Sequence, residues 1–142
     1  LFRSHGDSEL AVWSSANVSG IGINDFCELR GHYEHDEAMD RIYRTVRDSA
    51  YEIIERKGAT YYGVAMAVSR IAESIIRNEH SVLPVSSLME GEYGLTDLCI
   101  SVPTIVSAKG AEQVLEIPLS QEEKEKLQKS AAELKKVLDS AI

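Results

Sequence analysis

Between Ser81 and Ile117 the chain becomes a run of short β-prone segments, with helical patterns on both sides of it. Val82-Leu83, Val85, Leu88, Leu98-Cys99-Ile100-Ser101-Val102, Ile105-Val106 and Val114-Leu115 are β-branched or apolar. Glu90-Gly91-Glu92-Tyr93-Gly94 and Lys109-Gly110 read as the turns between them. Strands joined by such short turns run antiparallel. A proline donates no ladder hydrogen bond, so Pro84 and Pro103 are expected at edges or bulges.

Upstream, Met39, Ile42, Tyr43, Val46, Ala50, Ile53 and Ile54 recur at three- and four-residue steps, which predicts a helix over Asp36–Lys57. Glu37 and Asp40 sit near its positive end, Arg56 and Lys57 near its negative end, and Gly58 is placed to stop it. A second helix is expected over Thr60–Asn78, with Thr60 as N-cap and a stripe of Val64, Val68, Ile71 and Ile75. Ala65, Met66 and Ala67 fill most of its first half, which should therefore be buried on nearly all sides. Gly63 inside it costs about 1 kcal/mol relative to Ala; close approach of a backbone or ligand would explain it, as would tolerance. The last helix follows Pro118 and opens on the capping box Ser120-Gln121-Glu122-Glu123. Its buried stripe should be Leu127, Ala131, Leu134 and Leu138, widened by Val137 and Ala141, opposite a solvated Lys/Glu face. Residues 10–20 read as extended, and residues 23–35 as a loop or short helix. Strands and helices in separate runs define an α+β fold, an antiparallel sheet packed by long helices. A length of 142 residues suits one domain.

A net charge of −8 argues against nucleic acid or an anionic membrane as partner. No apolar run approaches the roughly 20 residues of a membrane span, and no signal peptide is visible at the start. Cys27 and Cys99 form no close pair and no metal spacing. Both are read as small core residues in a reducing, cytoplasmic setting. His32-Tyr33-Glu34-His35 is too sparse for a metal site, so no metal is expected and these residues should be solvated. His80 reads as a partner for the dipole of the preceding helix.

The chemistry gathers at the start of the chain. His5 lies in a polar, glycine-containing turn, with Asp7 and Glu9 two and four residues on. An imidazole titrates near neutrality and can serve as acid or base. On composition alone, a plain surface histidine beside solvated carboxylates is the commoner case.

His5-Gly6-Asp7-Ser8-Glu9-Leu10, followed by Val12-Trp13-Ser14 and Ala16-Asn17-Val18, resembles the active-site histidine segment of the L-lactate dehydrogenases. Lys57-Gly58-Ala59-Thr60-Tyr61-Tyr62-Gly63-Val64-Ala65-Met66 agrees, as does Leu83-Pro84-Val85-Ser86-Ser87-Leu88 leading to Gly91-Glu92-Tyr93-Gly94 and Val102-Pro103. The resemblance runs from end to end, within the lactate/malate dehydrogenase family. Glu9 and Trp13 suit the lactate branch better than malate dehydrogenases, while hydroxyisocaproate dehydrogenases share much of the pattern.

The resemblance implies the C-terminal catalytic and substrate-binding domain over residues 1–142, with the NAD-binding domain outside this chain. It implies NAD as cofactor, pyruvate and L-lactate as substrates, and a homotetramer. It assigns His5 as catalytic acid/base, Thr60 to the substrate and Val64 to the wall beside the nicotinamide. The orienting aspartate and the anchor arginine of the family also fall outside, so this half alone is expected to be inactive. A contrasting reading is a non-catalytic folding and oligomerisation module.

Overall fold

A computed structural model of the chain describes residues 9–141, apart from the side chain at 141. The chain enters at Glu9 and makes a small hairpin of β1 (Asn17–Val18) and β2 (Ile21–Gly22). Its two-residue turn, Ser19-Gly20, has φ of 53° and 83°. Two positive φ values define the mirror-image turn whose twist matches that of the flanking strands. Of the stretch expected to be extended, Asn17–Val18 forms a strand and Leu10 an isolated bridge, and the following segment forms the short helix α1 (Ile23–Leu29).

The two long helices fall where their periodicity puts them: α2 (His35–Lys57) and α3 (Tyr61–Ile76). Asp36 and Glu37 occupy the first turn of α2, and Arg56 and Lys57 its last. Gly58 ends it at φ 79°, its N–H donating to the Ile54 carbonyl at 2.7 Å. A β-carbon at that φ would crowd the following carbonyl.

The main sheet is antiparallel, in the order β3-β4-β5: β3 (Ser81–Glu90), β4 (Thr96–Ser107) and β5 (Gly110–Val114). Helix α4 (Gln121–Ala141) returns across one face. Leu98, Ile100 and Val102 alternate along β4 onto that face and meet Leu10, Met89, Leu119, Leu127 and Ala131 in the core. Burial of each large apolar side chain there contributes about 1.5–3 kcal/mol. Ser74 brings the C-terminal half of α3 to the same face: fully buried, it donates to the Val106 carbonyl at 3.1 Å. The capping box forms as expected. Glu123 N–H donates to Ser120 Oγ at 3.2 Å, and Ser120 N–H donates to Glu123 Oε2 at 2.8 Å.

Several expectations are corrected. Pro84 and Pro103 face each other across β3 and β4, so Pro103 lies in the middle strand rather than at an edge. Its carbonyl accepts from Leu115 N–H at 2.8 Å. A strand residue directs N–H and C=O to the same side, so the missing donor of Pro103 faces the point where β5 has just ended. The same alternation turns the backbone of Pro84 to the open edge. Leu127 and Ala131 are buried as expected, but Val137 and Leu138 are exposed because α4 outruns the sheet. Cys99 is exposed and Cys27 half-buried, so neither is a core residue. Cys99 falls on the uncovered face of β4, opposite Leu88. His80 lies just beyond the end of α3, with its Nδ1 3.1 Å from the Asn78 carbonyl oxygen and its Nε2 3.5 Å from a Glu112 carboxylate oxygen. The side chain of His35 is only 14% exposed, unlike the exposed His32.

The largest departure is α3. Residues 61–70 are exposed along their whole length, Val64 at 53% and Met66 at 72%. The apolar stripe of α2 is similar, with Met39 buried but Ile42, Val46, Ile53 and Ile54 exposed. Both helices carry the apolar surface of buried elements without being covered by the described residues.

Candidate functional site

The C-terminal half of α2 and the N-terminal turn of α3 form the walls of a cleft of about 560 Å³. At Gly58 the chain turns out of α2 into α3, and Lys57, Ala59 and Thr60 at that turn line the cleft. Val46, Ala50, Ile53 and Ile54 supply an apolar wall from α2, facing Tyr62, Gly63 and Val64 on α3. Glu9 closes the cleft from the entering chain.

Two residues expected from sequence to act together, Thr60 and Val64, thus share this one cleft. Thr60 stands at the N-cap position of α3, but its side chain makes no capping hydrogen bond. The expected cap is therefore positional only, and the hydroxyl is not committed to the helix end. A β-carbon built on Gly63 would meet no atom within 4 Å, so that glycine borders open space rather than a packed neighbour of its own chain. His5 lies outside the described residues.

Two features here were not singled out from sequence. Glu9, read as a possible solvated charge, is half-buried, and its Oε1 is buried without a hydrogen-bond partner among the described residues. Tyr43, read only as part of an apolar stripe, donates its hydroxyl to the Glu9 carbonyl at 2.8 Å. The available signal was chemical: a half-buried tyrosine hydroxyl needs a partner. The segment after Glu9 is held further along. Glu123 accepts from the backbone N–H of Ser14 at 3.0 Å and also from its hydroxyl. Burial opposes ionisation of Glu123, but hydrogen bonds from Ser14 and Ser120 outweigh it and hold the carboxyl below its usual range.

A second cavity of about 560 Å³ lies beside Tyr43, lined by Trp13, Asp36, Asp40 and Glu123 among others. It holds neither Thr60 nor Val64. Among the described residues no three His, Cys, Asp or Glu side chains come together as a metal-binding group. No helix among them is long and apolar enough to cross a membrane.

Residues 4–142 match the family model of the lactate/malate dehydrogenase alpha/beta C-terminal domain, and the chain belongs to that family. It is 51% identical over 138 residues to an L-lactate dehydrogenase of Acetivibrio thermocellus, covering 97% of this chain and 44% of that protein. It is 48% identical to L-lactate dehydrogenase 1 of Clostridium acetobutylicum, covering 99% and 45%. The crystal structure of the ligand-bound minor L-lactate dehydrogenase from Enterococcus mundtii superposes with a TM-score of 0.93 at 40% identity, covering 99% of this chain and 45% of that one. The chain spans less than half the length of these relatives.

Proposed function

We propose that this chain is the substrate-binding and catalytic half of an NAD-dependent L-lactate dehydrogenase, interconverting pyruvate and L-lactate. One observation carries the reading: Thr60 and Val64 line the same cleft, which Glu9, four residues after His5, also borders. Four residues of chain extend at most about 14 Å, so the imidazole of His5 can reach that cleft. In lactate oxidation, neutral His5 accepts the hydroxyl proton; in pyruvate reduction, imidazolium polarises the keto oxygen and donates the proton. The Thr60 hydroxyl, free of the helix end, donates to the substrate carboxylate or its C2 substituent. The apolar side chains of Val46, Ile53 and Ile54, exposed in this chain, exclude water and strengthen these polar contacts once a second domain covers the cleft. Val64 and the open space over Gly63 fit a flat nicotinamide ring, which accepts or delivers the hydride when bound. The cofactor's remaining contacts, the anchor arginine and the orienting aspartate fall to an N-terminal domain outside this chain. The uncovered apolar faces of α2 and α3 support docking of that domain and assembly into a homotetramer.

His5→Asn in the full-length enzyme tests this reading. We expect kcat for pyruvate reduction to fall by roughly 10²–10⁴ with NADH affinity unchanged. Near-normal turnover would remove His5 from the mechanism. Turnover of oxaloacetate or a branched 2-keto acid ahead of pyruvate would move the enzyme to the malate or hydroxyisocaproate branch.

A further inference from the structure

Thr60, Gly63 and Val64 stand three and four residues apart at the start of α3, so they share one face of that helix, and all three line the cleft. Gly63 is the odd member. A glycine inside a helix weakens it relative to alanine, because its backbone has more freedom to lose on folding. Two structural reasons hold a glycine in such a place, and neither applies among the described residues. Gly20, Gly31, Gly58, Gly91, Gly94 and Gly110 stand at positive φ, where a side chain is strained, but Gly63 does not. A β-carbon built on Gly63 would meet no atom of the described residues within 4 Å, so no packed neighbour there forbids one. Simple tolerance is a poor account as well. Val46, Ala50, Ile53 and Ile54 form the apolar wall of the same cleft, so a longer side chain at 63 would gain apolar contact in addition to helix propensity. The position gives up both.

We infer that Gly63 is a clearance residue: in the working enzyme the room left by its missing side chain is filled by the bound nicotinamide ring with the 2-keto acid against it, and not by protein. The inference rests on the reading of this cleft as the substrate site. A side chain at 63 would push the reacting pair off the wall that Thr60 and Val64 form. Hydride passes only between atoms in near contact, and a displacement of about 1 Å can slow such a step as much as 10²-fold.

The test is a pair of variants in the full-length enzyme, Gly63→Ala and Gly63→Leu, which both introduce good helix formers. The melting temperature of the ligand-free enzyme should hold or rise by a few degrees, since no protein atom has to make way. NADH should bind more weakly, and single-turnover reduction of pyruvate should slow severalfold in Gly63→Ala and by roughly 100-fold in Gly63→Leu. A Gly63→Leu enzyme that binds NADH as the wild type does would show the room empty in the complex and overturn the inference. A lowered melting temperature, or a ligand-free variant that fails to fold or assemble, would show that protein packs against position 63, and it overturns the inference equally. The wild type is run alongside with NADH and pyruvate. Its failure to turn over sinks the reading beneath, whereas a normal wild type with unaffected variants sinks the clearance role alone.

Discussion

Glu123, at the start of α4, binds both the backbone N–H and the hydroxyl of Ser14, 109 residues away in sequence. The same carboxylate caps its own helix through Ser120. Its folded pKa is depressed, so the ionised form is favoured in the native state. The stability this contributes is fully present above the ordinary carboxylate pKa and is lost as the pH falls through the lower folded value. Glu123→Ala should cost about 1–3 kcal/mol at neutral pH, since it removes the charged acceptor of the part-buried bonds from Ser14 and Ser120. Glu123→Gln keeps an acceptor and should cost less. Urea unfolding midpoints followed from neutrality into acid check this: the gap between wild type and Glu123→Gln should close as the pH drops, and a gap that stays constant would contradict the assignment.

Thr60 permits a separation of structural from catalytic roles. A working N-cap hydroxyl is worth about 0.5–2 kcal/mol, but Thr60 makes no capping bond. Thr60→Val should therefore leave Tm within the small range of surface substitutions, about 0.5 kcal/mol. In the full-length enzyme it should lower kcat/KM for pyruvate by roughly tenfold, equivalent to about 1.4 kcal/mol of one lost hydrogen bond. A large fall in Tm with unchanged kinetics would make Thr60 a cap after all.

Gly58 isolates a backbone effect. A β-carbon there would meet nothing within 4 Å, so substitution carries no clash beyond the left-handed φ itself. Gly58→Ala should destabilise by about 1–2 kcal/mol, and Gly58→Asn by less, because Asn tolerates that conformation. Equal losses for the two, measured by thermal unfolding, would point to a cause other than φ.

Local chemistry was the legible part of this fold. The capping box at Ser120–Glu123, the stop at Gly58 and the antiparallel run from Ser81 depend on residues close in sequence, and each formed as read. Burial on α3 was misread because period and apolarity show that a face will be covered without showing by what. Val64 and Met66 have the composition of a core and lie open in this chain. Pro103 was misjudged because its position depends on where β5 ends, a fact of pairing rather than of local pattern. In the site, Thr60 and Val64 were found through family resemblance, since by spacing alone they are a cap and a core residue. Glu9 and Tyr43 escaped notice because their contact joins the entering segment to a helix 34 residues on, and no local periodicity encodes it.

The open faces of α2 and α3 lead to a prediction for the 142-residue chain on its own. Ile42, Val46, Ile53 and Ile54 on α2, and Val64, Met66, Val68 and Ile76 on α3, are exposed large apolar side chains. Contiguous apolar surface beyond a few hundred Å² drives association, and a chain of net charge −8 has few other surfaces on which copies can meet without repulsion. The isolated chain should therefore self-associate, and light scattering that returned a clean monomer would refute this. NADH should leave its melting temperature unchanged, because on the proposed reading most of the cofactor's contacts belong to a second domain. A complete site would stabilise the fold by about 2.7 kcal/mol at a ligand concentration a hundred times Kd, which is several degrees for a domain of this size. A shift of that size in the isolated chain would mean that these residues hold the cofactor without a second domain.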